Sequence, residues 1–198
     1  MTIDGAVDVP ADLTAKARIR NAALELFAEK GAANTSIREV AAEAGITHGL
    51  VVHHFSNKDG LRRAVRQHVF ELLRQALESV PAEGGAQQIR HARDSSVDRL
   101  LTAKPALMTY LRRAMLDPVE SDPELVAMLA DFTLAEVRSL RSRGLAGTET
   151  PDYLQAMAVM IRELGPRLLA PVAQQFWGCL AGEHAGPAPS LEVAMKPS

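Results

Sequence analysis

The chain has 198 residues, 47% of them apolar and 23% charged, with a formal net charge of −2. This composition fits a soluble globular protein and argues against a disordered chain, and the length allows one or two compact domains. No apolar run approaches the roughly 20 residues needed to span a bilayer. The opening stretch MTIDGAVDVPAD lacks the basic region of a secretory signal. The one cysteine, Cys179, cannot form an internal disulfide, so a reduced, cytoplasmic compartment is expected. Charge is unevenly spread: between residues 11 and 66 nine Lys/Arg stand against six Asp/Glu, a local excess of +3 that makes the remainder acidic. A basic end on an acidic body hints at local contact with nucleic acid.

The pattern predicts an all-α chain of about nine helices, without any alternating β-branched run that would mark a strand. The first helix is expected over 13–30, with Ile19, Ala22, Ala23, Leu26 and Phe27 on one face and Gly31 after its end. A second is expected over 36–44, with Ile37, Val40, Ala41 and Ala44 inward and Gly45 closing it. Thr47 can cap a short third helix to His54, and Ser56 with Asp59 reads as a capping box opening the fourth, which runs to about Val80. That helix carries Leu61, Val65, Val69, Leu72 and Leu77 on one side. Further helices are expected at 86–103, 105–116, 122–143, 151–164 and 166–181, with prolines at or near their first turns.

Helices two and three, joined by Gly45 and a few residues, read as a helix-turn-helix. Ala41 is small enough for close crossing, Gly45 can take a positive φ, and Ile37, Val40, Ile46 and Val51 plug the angle between the helices. A fixed angle lets the third helix enter a major groove while the second crosses the backbone. His48, His53 and His54 could instead suggest a metal site, but their spacing on one short helix does not place three ligands together. Gly45 and Gly49 follow no strand, which excludes a dinucleotide phosphate loop.

The segment RIRNAALELFAEKGAANTSIREVAAEAGITHGLVVHHFSNKDGLRRAV, Arg18 to Val65, closely resembles the DNA-binding domain of the TetR family of transcriptional regulators. The resemblance implies a helix-turn-helix domain over 13–62 after a flexible 1–12. It also implies a helical ligand-binding and dimerisation domain over 63–182, and the proline- and glycine-bearing tail 183–198 is expected to be disordered. It further implies a homodimer on a palindromic double-stranded operator, most often a repressor released by a small molecule, with no enzymatic activity, cofactor or metal. By the same resemblance Thr47 matches a phosphate or base contact, and His48 and Leu50 match base-facing positions. Gly49 matches a small position allowing close approach, His53 a groove or phosphate contact, Lys58 a phosphate contact, and Ser36 a contact from helix two. Val52 departs from the family pattern: the usual tyrosine there bonds a phosphate, and valine loses that bond, about 0.5–1.5 kcal/mol.

Other residues have plainer readings. His54 is expected to pack behind Phe55, and Arg62 and Arg63 can be a solvated helix face. Cys179, beside Trp177, is expected in the core. In the body, Leu107, Met108, Leu111, Met115, Met128, Phe132, Met157 and Met160 are candidates to line an effector pocket, with Tyr110, Arg112 or Arg113 as polar handles. A methionine-rich lining adapts its shape and suits an apolar effector. Leu164, Leu168, Val172, Phe176 and Leu180 on the last helix are candidates for the dimer face. A helical carrier or enzyme with the corner as a docking module is the competing class, as is an activator within the family.

Overall fold

The computed structural model describes residues 11–80, 83–181 and 189–195. Among these there are eight helices and no strands: α1 (Ala11–Lys30), α2 (Ile37–Ala44), α3 (His48–Phe55), α4 (Lys58–Glu78), α5 (Ala86–Ala103), α6 (Pro105–Leu116), α7 (Pro123–Ser142) and α8 (Asp152–Ala181). The expected flexible stretch 1–12 lies outside the described residues except for Ala11 and Asp12, which open α1. The expected disordered stretch 183–198 lies outside them except for 189–195, where no helix or strand forms.

The chain divides into two compact units, and the division falls inside α4: the first unit takes the chain up to Leu72 together with Lys104–Ser121, and the second takes Leu73–Ala103 and the chain from Asp122 on. Helix α6 therefore belongs with α1–α3, and it packs against α1. In this first unit α1 is central. Its expected face, Ile19, Ala22, Ala23, Leu26 and Phe27, is buried, and so are Leu24 and Ala28 beyond that face. The reason is that α1 is packed by α2, α3 and α6 together rather than by one neighbour. Val40 and Val51 are fully buried, as are Leu61, Val65 and Val69 of α4 and Leu107 and Leu111 of α6. Burying side chains of this kind contributes about 1.5–3 kcal/mol each before entropy is counted.

Two local expectations need correction. The expected capping box of Ser56 and Asp59 does not form. Ser56 is the residue that turns the chain after α3, at φ 65°, and Asn57 takes over as the cap of α4 by accepting from the Gly60 N–H at 2.9 Å. The helices expected at 151–164 and 166–181 are one, α8, with Pro166 and Pro171 inside it. Proline lacks the helical N–H and its ring crowds the preceding residue's Cβ. Gly165 has no Cβ to be crowded, which lightens the clash at Pro166, while Pro171 follows Ala170 and stays inside the helix without that relief. The same bare glycine admits Val193, whose Cβ stands 3.1 Å from where a Cβ on Gly165 would be.

The second unit packs α7 on α8 around buried Leu125, Leu129, Val137 and Ala156. Ion pairs join its helices, Arg93 to Glu136 at 2.7 Å and Arg167 to Asp98 at 2.7 Å. Between α5 and α8 the Asp94 carboxyl is pushed up to about 6, first by burial, then by its hydrogen bond to Glu163 and that carboxylate's charge, with Arg162 and Arg167 opposing. A carboxyl raised in this way keeps a proton that the unfolded chain releases near pH 3.8. Its stabilising contribution is complete below that value and is lost as pH rises through about 6. Asp94→Asn is expected to flatten the fall in unfolding temperature between pH 4 and 7, measured by calorimetry.

Candidate nucleic-acid interface

The corner of α2 and α3 is built from short-range signals. Ser36 caps α2, its hydroxyl accepting from the Glu39 N–H at 3.2 Å while the Glu39 carboxylate accepts from the Ser36 N–H at 2.8 Å. Those contacts, the Ser36 backbone first, hold the Glu39 carboxyl well below its usual range, at about 2, with Lys30 assisting at 3.2 Å. At the other end Gly45 takes φ 63°, its N–H bonds to the Ala42 carbonyl at 3.1 Å, and the Ile46 N–H bonds to the Ala41 carbonyl at 3.0 Å. This double bond pattern is a Schellman close, which needs a left-handed residue at Gly45. Arg18 of α1 donates across the turn to the Ala44 carbonyl at 2.5 Å, fastening α1 to the corner. Thr47 caps α3, its hydroxyl accepting from the Leu50 N–H at 3.3 Å. Inside, Val40, Ala41, Val51 and Phe55 are buried; outside, Thr47, His48, Gly49, Val52 and His53 are exposed, with Leu50 half-buried. A Cβ added at Gly49 would meet nothing within 4 Å. Among the described residues, one edge of α3 is thus exposed from its first turn to its last.

Residues 19–65 match the family model of bacterial regulatory proteins of the tetR family. The HTH-type transcriptional regulatory protein RaaS of Mycobacterium tuberculosis is 35% identical over 147 residues, 72% of this chain and 63% of that one. Residues 19–65 are thus a DNA-binding segment of the TetR family. A second protein of M. tuberculosis, named an HTH-type transcriptional repressor, is 48% identical over 68 residues, 34% of this chain and 36% of that one. The chain thus spans less than two thirds of the length of these curated relatives. A TetR-family transcription regulator from Shewanella sp. PV-4 has the same fold, at a TM-score of 0.64 and 20% identity over 84% of this chain and 90% of that one.

Against the TetR pattern, the sites fall into three groups. Thr47, His48, Gly49, Leu50 and His53 stand together on α3, and Ser36 is exposed at the start of α2. The hydrogen of the Ser36 hydroxyl is left to donate, since the oxygen already accepts within the capping box. Lys58 is half-buried, and its ammonium donates to the Ala33 carbonyl at 2.6 Å, so one of its three protons is committed within the chain. Val52, at the TetR tyrosine position, is 37% exposed, an apolar surface where the family places a hydroxyl. His54 meets Phe55 edge-on with ring centroids 6.1 Å apart, consistent with a packing role.

Outside that segment the candidates fall unevenly. Leu107 and Leu111 are fully buried in the first unit; Met108, Met115, Met128, Phe132 and Met160 are half-buried, and Met157 is exposed. Arg113, read as a polar handle, instead donates to the carbonyls of Ala28 and Glu29 at 2.8 Å each. On α8, Leu164 and Leu168 are half-buried while Val172, Phe176 and Leu180 are exposed. Cys179, expected in the core, is exposed, because the side chains around it at the end of α8 have no covering helix from the described chain. Sequence reasoning missed Arg18, Arg113 and Glu120 as supports of the corner. Ser36 with Glu39 carried a readable S-x-x-E signal; the others act over long sequence separations and leave no local mark.

Proposed function

We propose that the chain is a DNA-binding transcriptional regulator that acts in the cytoplasm as a homodimer on a palindromic operator and is a repressor released by a small apolar effector. The carrying observation is the open edge of α3: a rigidly capped helix whose exposed residues 47–49, 52 and 53 rise above a closed interior, with vacant space over Gly49. An α-helix of this kind fits the major groove, and Ser36 and Lys58 are the proposed phosphate contacts beside it. The repressor reading is supported by the name of the relative that is 48% identical across the DNA-binding segment. The effector reading rests on the half-buried methionines 128 and 160 of the second unit, and the dimer reading on the exposed apolar side chains of α8. In such a dimer the two recognition helices stand about 34–36 Å apart, one turn of duplex.

Selection of bound duplexes from a random pool, followed by titration against salt, tests this. Retention is expected to enrich a two-fold symmetric sequence, with log K falling by about 0.9 for each phosphate neutralised per log unit of salt. Absence of retention at low ionic strength would refute the reading.

A further inference from the structure

The end of α1 and the loop that leads into α2 are held from outside by the end of α6. The last four carbonyls of an α-helix have no partner of their own. In α1 all four find one: Phe27 from the Gly31 N–H at 3.1 Å, Ala28 and Glu29 from Arg113, and Lys30 from the Asn34 amide at 3.0 Å. Seven residues further on, Glu120 is buried at 8% exposure, and its two oxygens accept from the N–H groups of Ala32 at 2.8 Å and Ala33 at 2.9 Å. Asp117 shapes the turn that delivers it, accepting from the Val119 and Glu120 N–H groups at 2.9 and 3.3 Å. Gly31, at φ +86°, leaves the space: a Cβ there would stand 2.4 Å from a Glu120 oxygen.

The peptide groups of Ala33 are therefore gripped on both sides. Its N–H is held by Glu120 and its carbonyl by Lys58, the first residue of α4. Three residues later comes Ser36, the cap of α2. Glu120, Ala33 and Lys58 thus form one line that ends on a candidate phosphate contact and passes beside another.

We infer that Arg113 and Glu120 are positioning residues for duplex binding: they touch no DNA, and they set where Ser36, Lys58 and the corner of α2 and α3 stand. This rests on the DNA-binding reading proposed above. A carboxylate suits the task because two oxygens accept two successive N–H groups at once, and a guanidinium suits the other because its fork reaches two successive carbonyls.

The test uses the full-length protein and the duplex selected for the wild type. Glu120→Ala and Arg113→Ala are each expected to weaken binding at least tenfold, with Arg113→Lys, which can still donate to a carbonyl, recovering part of the loss. Glu120→Gln, which keeps one acceptor, is expected to lie between wild type and Glu120→Ala and serves if the alanine variant does not fold. Affinities are taken per folded molecule, and amide resonances of Ala32, Ala33 and residues 47–51 are followed by NMR. Shifts spreading from the loop into α3 are expected, since a merely local role would leave α3 unmoved. Folded variants that bind as wild type, or whose α3 resonances stay in place, overturn the inference. If the wild type itself retains no duplex, the DNA-binding reading fails separately, and the α3 resonances alone decide whether the clasp positions the corner.

Discussion

Gly49→Leu is expected to weaken specific duplex binding by at least two orders of magnitude while leaving the unfolding temperature unchanged or slightly higher. The two effects separate because Gly49 is crowded by nothing in its own chain: a Cβ there meets no atom within 4 Å, and its φ is not in the left-handed region. Within a helix, replacing glycine by leucine removes a propensity penalty of up to about 0.8 kcal/mol. In the groove the balance reverses. A helix with its side chains is about 10–12 Å across and the major groove about 12 Å wide, so in the proposed binding mode a leucine at this position holds the helix off the bases. Losing close contacts worth about 2.7 kcal/mol is a hundredfold in affinity. Gly60 provides the contrast, since a Cβ there would stand 2.0 Å from the Phe55 carbonyl oxygen; Gly60→Leu is expected to unfold the corner. Fluorescence anisotropy with labelled duplex, paired with calorimetry, measures both quantities. Wild-type affinity in Gly49→Leu would remove this edge of α3 from the groove.

The double substitution Val172→Glu with Phe176→Glu is expected to leave a folded monomer. The exposed side chains of α8, Leu154, Met157, Ile161, Leu169, Val172, Phe176 and Leu180, stand three or four residues apart except across Gly165, where the step from Ile161 to Leu169 is about two turns, and Phe176 and Leu180 are 64% and 83% exposed. A stripe of this spacing is one face of a helix, and covering it takes another apolar surface. In a two-fold dimer each substitution appears twice, so four carboxylates would enter one interface. Each costs far more to bury than a valine or phenylalanine contributes. Because both positions are solvent-exposed within the chain, the fold itself has little to lose. Light scattering on a size-exclusion column is expected to report twice 21.4 kDa for the wild type and 21.4 kDa for the variant. Affinity for the full palindrome is expected to fall to that of a half-site. A wild-type protein that elutes as a monomer at micromolar concentration would refute the dimer.

The parts legible from sequence are those decided within a few residues. Gly31 and Gly45 end their helices with positive φ, and Thr47 caps α3, because each choice depends on neighbours three or four positions away. The apolar positions of α2 and of the first half of α4 follow from the same short period. Ser56 was misassigned because a serine with an acid three residues on fits a capping box as well as it fits a turn; the turn won because α3 ended one residue later than its histidines suggest. The break expected at Pro166 does not form, and Pro171, which follows Ala170 rather than a glycine, lies inside the same helix. Arg113, Glu120 and the partnership of α6 with α1 left no trace in any local window, because the groups they satisfy lie 84 to 88 residues away.

That separation has a consequence for how the molecule is made. A ribosome that has released the segment matching the family, up to residue 65, has not yet synthesised Leu107, Leu111, Arg113 or Glu120. The end of α1 then has two unanswered carbonyls, those of Ala28 and Glu29 that Arg113 later meets, and the side of α1 that α6 covers is bare until residue 121 emerges, some seconds later at about 5–20 residues per second. The nascent corner is therefore a natural client for chaperones. The same arithmetic governs chimeric sensors: a reader head cut at residue 65 and spliced onto a foreign body loses its brace, whereas one that carries Lys104–Ser121 with it takes the brace along.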